Sequence, residues 1–218
     1  MRAFIFANGE YCQQDAKLSI QDDDIIIAAD GGSRHCIALE LLPNLLIGDL
    51  DSIDKNILEK WRSEGVKIIG YSEDKDQTDL ELALLYAQDQ QVTEVLVYGA
   101  AGGRLDMTLG NLTLLAHPDL LIPITLICGN EEIHLLNEGE SMTLDGNSGD
   151  IVSLIPLQPG PSTVTTKGLK YPLNKEDLVF GYTRGISNQL VKDQARINLE
   201  SGLLAVIHTR NNHMENFQ

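Results

Sequence analysis

Aspartates at four places in the first half of this chain stand beside glycine or arginine in patterns suited to metal and phosphate chemistry. They are Asp30-Gly31-Gly32, Gly48-Asp49-Leu50-Asp51-Ser52, Asp76-Gln77-Thr78-Asp79 and Gly102-Gly103-Arg104-Leu105-Asp106. Asp49 and Asp51 are two apart, so in extended backbone their side chains share a face, with Cα atoms roughly 6.6 Å apart. Such a pair suits Mg²⁺, which keeps several waters and commonly takes one or two carboxylates plus substrate phosphate. The same residues also read as a turn, with Ser52 as the N-cap of the next helix. Asp76 and Asp79 have the spacing of a capping box at a helix start. Asp30 is equally a turn aspartate before Gly31 and Gly32, whose missing side chains serve a tight backbone or a close ligand. Gly102-Gly103-Arg104 at a helix start combines glycine amides, a helix N-terminus and a guanidinium, the parts of a phosphate cradle. Asp106 either faces solvent or orients Arg104.

Positioning these groups falls to strands and helices that alternate. Apolar runs at residues 3–7, 25–29, 45–47, 66–69 and 95–98 predict strands. Segments 33–42, 53–63, 80–90 and 104–117 carry apolar residues three or four apart and predict helices. This alternation predicts a mostly parallel α/β sheet covered on both sides, a Rossmann-like three-layer domain over residues 1–130. Most of the acidic motifs then fall just past the carboxyl end of a strand, where open α/β sheets hold ligands. After about Asn130 helical periods give way to short runs separated by Gly, Pro and Asn. Segments 132–136, 141–144, 150–157, 162–166, 195–199 and 203–209 predict antiparallel strands of a small sandwich or barrel in a second domain, 131–218.

Composition narrows the function. The 218 residues carry a formal net charge of −16, which disfavours nucleic acid or an anionic membrane as partner. A polyanionic substrate can approach such a surface only with divalent cations between its phosphates and the carboxylates. The longest apolar stretch, Leu120 to Cys128, contains Pro123 and is far short of the roughly 20 residues a membrane helix needs. The opening residues are too short for a signal-peptide core, so a cytoplasmic location is expected. Cys12, Cys36 and Cys128 are widely spaced and form no C-x-x-C pair, which predicts reduced, structural thiols. His35, His117, His134, His208 and His213 show no metal-ligand spacing, and there is no G-x-x-x-x-G-K-[ST] loop, G-x-G-x-x-G fingerprint or H-E-x-x-H pair.

Taken in order, the four acidic motifs, with Asn111 after the last, resemble the successive signatures of the thiamine pyrophosphokinases. In the second domain Thr165-Thr166-Lys167-Gly168-Leu169-Lys170-Tyr171 and Gly185-Ile186-Ser187-Asn188 are similar to that family's thiamine-binding signatures. The resemblance implies an α/β nucleotide domain followed by a β-sandwich, assembled as a homodimer with active sites between subunits. It implies Mg²⁺ on Asp49, Asp51 and Asp79, and ATP at Asp30, Gly31, Gly32, Lys75, Gly102, Gly103, Arg104 and Asp106. It also implies thiamine at Tyr171, Ser187 and Asn188, with catalysis resting on Asp49, Asp51, Asp79 and Arg104 and on Asp79 or Asp76 as candidate base. The expected reaction moves the diphosphoryl group of ATP onto the hydroxyl of thiamine and releases AMP. Three positions depart from the pattern: Tyr171 where some relatives have Trp, Lys75 where some have Gln, and Met107 where bacterial relatives often have His. Two alternatives stand beside this expectation: a pyrophosphokinase for another heterocyclic alcohol such as a hydroxymethylpterin, and a non-catalytic thiamine or nucleotide sensor.

Overall fold

A computed structural model describes residues 1–11 and 19–211; Cys12 and His213, named above, lie outside the described residues. The chain divides into two compact units, Met1–Gly129 and Asn130–Gln218.

In the first unit the elements run β1 (Ala3–Phe6), β2 (Ile25–Ala29), a 3₁₀ turn (Asp30–Gly32), α1 (Ser33–Ala38), β3 (Leu45–Gly48), α2 (Lys55–Ser63), β4 (Lys67–Gly70), α3 (Asp79–Asp89), β5 (Val95–Tyr98), α4 (Leu105–Leu114) and β6 (Ile124–Cys128). Every strand pairing is parallel, in the order β6-β5-β1-β2-β3-β4. β1 and β3 are buried along their whole length, as expected for strands covered on both faces. Phe4, Phe6, Ala28, Leu46, Tyr98 and Ile127 pack with Trp61 of α2 into one core. Helix α3 buries Leu80, Ala83, Leu84 and Ala87, the i, i+3, i+4, i+7 stripe that makes a helix face a sheet.

Helix boundaries correct the sequence at three points that matter for the site. Helix α1 stops at Ala38, four residues before the expected end, because Glu40 takes a left-handed φ of 55° and the Leu41 N–H bonds back to the Cys36 carbonyl. Helix α2 begins at Lys55 and is capped by Asp54, which accepts the Asn56 N–H at 2.8 Å, so Ser52 is not its cap. Helix α3 is capped by Thr78, which accepts the Glu81 N–H at 3.2 Å, so Asp76 and Asp79 do not form a capping box. Strand β6 was hidden in the apolar run after Pro123, whose carbonyl accepts the Val95 N–H and starts the pairing with β5.

The second unit holds β7 (Glu131–Asn137), β8 (Ser141–Asp145), β9 (Ile151–Pro156), β10 (Pro161–Lys167), β11 (Glu176–Val179), β12 (Asn188–Gln189), β13 (Gln194–Ser201) and β14 (Leu203–Thr209). They form two antiparallel sheets, β12-β9-β14-β7 and β11-β10-β13-β8. Alternate residues of both, among them Leu136, Val152, Leu154, Val164, Ile197, Leu199, Leu204 and Val206, make one apolar core. The expected class, a parallel α/β sheet followed by antiparallel sheets, is the one observed. Strands β11 and β12 were not foreseen, since β12 has only two residues and β11 opens with two acids. No helix among the described residues is long and apolar enough to cross a membrane.

Candidate active site

The chain leaves β1 toward β2, β3 and β4 and returns to β5 on the other side of β1. Strand order therefore reverses between β1 and β5, and a crevice is expected at the carboxyl ends of these two strands. A cleft of about 570 Å³ opens there, walled by Asn8, Gly9 and Glu10 after β1, Asp30 after β2, Lys75, Thr78 and Asp79 before and at the start of α3, and Gly102, Gly103 and Arg104 after β5.

Asp30 and Asp79 line this crevice, and Asp49 and Asp51, outside its lining, gather beside Asp30. Oxygens of Asp30, Asp49 and Asp51 all lie within 4.8 Å of one another. Asp30 is buried at 8% exposure and held in a left-handed conformation, φ 42°. One of its oxygens accepts the Ser52 hydroxyl at 2.8 Å, while the other, Oδ1, is buried without a hydrogen-bond partner among the described residues. Burial pushes the Asp30 carboxyl up, against the Ser52 and backbone hydrogen bonds, and the charges of Asp49 and Asp79 add to the rise. Leu50, between Asp49 and Asp51, is also left-handed at φ 67°, and the Asp51 N–H turns back onto Asp49 Oδ1 at 3.2 Å. Three like charges at this spacing repel, and a buried carboxylate oxygen without a donor is costly. An all-oxygen donor set that repels itself fits a hard divalent cation.

Asp79 stands beside this cluster rather than in it. A methyl group built on Gly48 would sit 2.7 Å from Asp30 Cβ and 3.2 Å from Asp79 Cγ, so glycine at 48 lets the two acids pack over the end of β3. Asp79 Oδ1 is ion-paired with Lys75 Nζ at 2.9 Å. Burial opposes the Lys75 charge, but Asp79, Asp49 and Asp30 outweigh it and raise its pKa. Asp76 is exposed and does not line the cleft.

Gly31 and Gly32 are set back from the cleft. Side chains there would meet the Asn8 side chain at 2.3 Å and the Phe6 carbonyl at 1.8 Å, so these glycines let the 3₁₀ turn pack on β1. Gly102 is against Glu10, while Gly103, φ 68°, has open space around it. Arg104 occupies the N-cap position of α4 and is exposed, its Nη2 ion-paired with Asp106 Oδ2 at 2.5 Å. That pairing raises the Arg104 pKa and lowers the Asp106 pKa. Asn111 is buried on α4 and donates to the Ala100 carbonyl at 2.7 Å, tying the helix to the loop after β5.

In the second unit Tyr171 and Asn188 are joined directly. The Tyr171 N–H donates to Asn188 Oδ1 at 3.0 Å, and Asn188 Nδ2 donates to the Tyr171 carbonyl at 2.8 Å. Asn188 is buried, and Tyr171 is 63% exposed with the Lys170 ammonium 5.6 Å from its ring centre. Ser187 has a left-handed φ of 61°, and its N–H donates to Ser153 Oγ at 3.1 Å.

Residues 16–125 match the model of a family described as thiamin pyrophosphokinase, catalytic domain, and residues 134–204 match thiamin pyrophosphokinase, vitamin B1 binding domain. The chain is 31% identical over 184 residues to the thiamine pyrophosphokinase of Bacillus subtilis (strain 168), covering 84% of this chain and 86% of that one. The chain belongs to the thiamine pyrophosphokinase family. Its fold matches the crystal structure of thiamine pyrophosphokinase from Bacillus subtilis with a TM-score of 0.85 at 26% identity, over 97% of this chain and 100% of that one. The crystal structure of thiamin pyrophosphokinase from Geobacillus thermodenitrificans shares the fold at a TM-score of 0.83, over 98% and 99% of the two chains. Neither match names a pterin substrate or a sensor.

The sequence places the thiamine pyrophosphokinase motifs after β2, β3, β4 and β5 and draws no attention to the segment after β1. Asn8, Gly9, Glu10 and Arg34 all line the cleft. The rule that ligands gather at strand carboxyl ends applies equally to β1, but only the strand order reveals that β1 flanks the point of reversal.

Proposed function

We propose that Asp30, Asp49 and Asp51 hold Mg²⁺, and that the polyphosphate of ATP lies along the cleft toward Gly102, Gly103 and Arg104. As a thiamine pyrophosphokinase the enzyme transfers the diphosphoryl group of ATP to thiamine, giving thiamine diphosphate and AMP. One observation carries the metal assignment: the buried, unpartnered Oδ1 of Asp30 within a cluster of three carboxylates. Bound there, Mg²⁺ supplies the positive charge that lets a polyanion enter an acidic cleft. Asp79, next to this cluster, is held by Lys75, and the pair borders the phosphates without needing to be a ligand. Arg104 spends Nε and Nη2 on Asp106 and keeps Nη1 for a phosphate oxygen.

Thiamine is bound through Tyr171, which offers its ring to a cationic heterocycle for roughly 0.5–2 kcal/mol. Asn188 is buried with its amide committed to the Tyr171 backbone, so it positions the ring, and the left-handed Ser187 precedes Asn188 in the chain as the candidate hydroxyl ligand. The thiamine oxygen attacks the β-phosphorus in line as the bond from that phosphorus to the oxygen bridging to the α-phosphorus breaks; the hydroxyl proton is lost and AMP departs. A homodimer and a cytoplasmic location belong to the same proposal. Leu105 and Leu109 on α4, 72% and 54% exposed, offer apolar surface for a subunit contact, and Cys36 and Cys128 are free thiols, as a reducing compartment would keep them.

The test is formation of AMP and thiamine diphosphate from purified protein, ATP and thiamine, with and without Mg²⁺. Both products are expected only when all components are present. Metal-independent turnover, or AMP release with a pterin alcohol and not with thiamine, would overturn the proposal.

A further inference from the structure

Three cationic side chains line the cleft, and two already face a carboxylate. Lys75 is ion-paired with Asp79 at 2.9 Å and Arg104 with Asp106 at 2.5 Å. Arg34, the third, makes no ion pair among the described residues. It is held all the same. Its Nη2 donates to the carbonyls of Asn8 at 2.9 Å and Gly9 at 2.7 Å, in the segment that leaves β1 where strand order reverses. That segment is itself fixed: the Gly9 N–H donates to the Gly99 carbonyl at 2.7 Å and the Glu10 N–H to the Ala101 carbonyl at 2.8 Å. His35 Nε2 also meets the Gly9 carbonyl, at 2.9 Å, and burial lowers the His35 pKa, which favours the neutral ring.

Carbonyl oxygens orient a guanidinium without cancelling its charge. Nε and Nη1 of Arg34 have no hydrogen bond to any described residue, so N–H donors remain on both free sides of the guanidinium for an oxygen of an anion. In a chain of net charge −16, an oriented and unneutralised arginine in the cleft is where a phosphate gains most. The same charge repels cationic thiamine, so Arg34 belongs to the nucleotide side.

We propose that Arg34 is a direct ligand of the ATP polyphosphate, held ready by the Asn8 and Gly9 carbonyls. This rests on ATP occupying the same cleft. The experiment compares wild type, Arg34→Ala, Arg34→Lys and Asp49→Asn by steady-state kinetics with ATP and thiamine varied separately, and by equilibrium binding of Mg·ATP and of AMP. Arg34→Ala is expected to raise KM for ATP by about tenfold to a hundredfold, the equivalent of one lost charge-assisted hydrogen bond. KM for thiamine stays within about twofold, Arg34→Lys falls between, and added guanidinium ion partly restores Arg34→Ala. Mg·ATP binding should weaken more than AMP binding, since AMP lacks the β- and γ-phosphates. An unchanged KM for ATP, or an equal rise for both substrates, overturns the proposal, the second outcome marking Arg34 as a support for the loop alone. If Asp49→Asn abolishes Mg²⁺-dependent ATP binding while Arg34→Ala binds like wild type, Arg34 alone is misassigned. If Asp49→Asn binds ATP normally, the ATP cleft itself is misassigned.

Discussion

Strand β2 has an aspartate at each end, and the two are equally buried, at 8% exposure each. Asp24, at the amino end, accepts from Arg2 Nη2 at 2.6 Å, from the Arg2 N–H at 2.8 Å and from the Gln21 N–H at 3.0 Å. Its pKa falls to about 2, chiefly through the Arg2 side chain. Asp30, at the carboxyl end, has the Ser52 hydroxyl on one oxygen, no partner among the described residues on the other, and Asp49 and Asp79 nearby; its pKa rises through burial. Five residues thus separate a carboxylate that stabilises the fold from one that weakens it. The second unit repeats the satisfied pattern. Asp150 takes the Asn147 and Asn211 N–H groups at 2.9 Å and His208 Nε2 at 3.0 Å, and Glu132 takes Arg210 at 2.9 Å. Bonds from His134 and then His208 hold Glu132 below the usual carboxylate range, and Asp150 is lowered despite its burial. Burial alone therefore does not mark a functional acid. A buried acid with unused lone pairs at a strand's carboxyl end does.

The widest test of that contrast is Asp30→Asn. Asparagine tolerates the left-handed φ of 42° and can still accept from Ser52, so only charge and one metal-ligating oxygen are lost. Turnover should fall by about 10²- to 10³-fold, and Asp49→Asn should match it. Thermal unfolding of Asp30→Asn should move up by about 1–4 °C, as expected when a strained functional charge is removed. Retained turnover, or a lowered Tm, would place Asp30 with Asp24. The next effect is the mirror image. Asp24→Asn should cost on the order of 2 kcal/mol in denaturant unfolding while turnover per folded molecule stays at the wild-type level. Lost catalysis in a folded Asp24→Asn protein would erase the distinction between the two ends of β2.

Much of this is legible in the amino-acid sequence. β2 and β5 were found to the residue, because a parallel strand buried on both faces is a bounded apolar run. That these aspartates share one end of the sheet followed from their place after strands, but the metal set expected was Asp49, Asp51 and Asp79, and it is Asp30 that meets Asp49 and Asp51. What the sequence hid was pairing. Nothing in Asp76-Gln77-Thr78-Asp79 says that Thr78 takes the cap, Asp79 takes Lys75 and Asp76 is left outside the cleft. Nor does spacing tell that Gly31 and Gly32 serve β1, or that the Asn188 amide is spent on the Tyr171 backbone, because those contacts join residues far apart in the chain.

The smallest effect separates the two kinds of acid most cleanly, because it reverses sign. For Asp24, Asp150 and Glu132 the folded pKa lies below the unfolded values of 3.8, 3.8 and 4.5. Their stabilisation is fully present above those values and is lost as pH falls through the folded ones. Asp30 has a folded pKa above 3.8, so its ionised form is a cost at neutral pH that acid removes. From about pH 8 to about pH 4.5 the paired acids contribute a constant amount while wild type is relieved at Asp30. The Tm advantage of Asp30→Asn over wild type should therefore be largest at the alkaline end and shrink toward the acid end. Mg²⁺ should act at the same oxygens as the proton does: at alkaline pH it should raise the Tm of wild type and leave Asp30→Asn nearly unmoved. A gap that ignores both pH and Mg²⁺ would mean that the raised pKa of Asp30 has no metal site behind it, and that the two ends of β2 differ only in how well their hydrogen bonds are made.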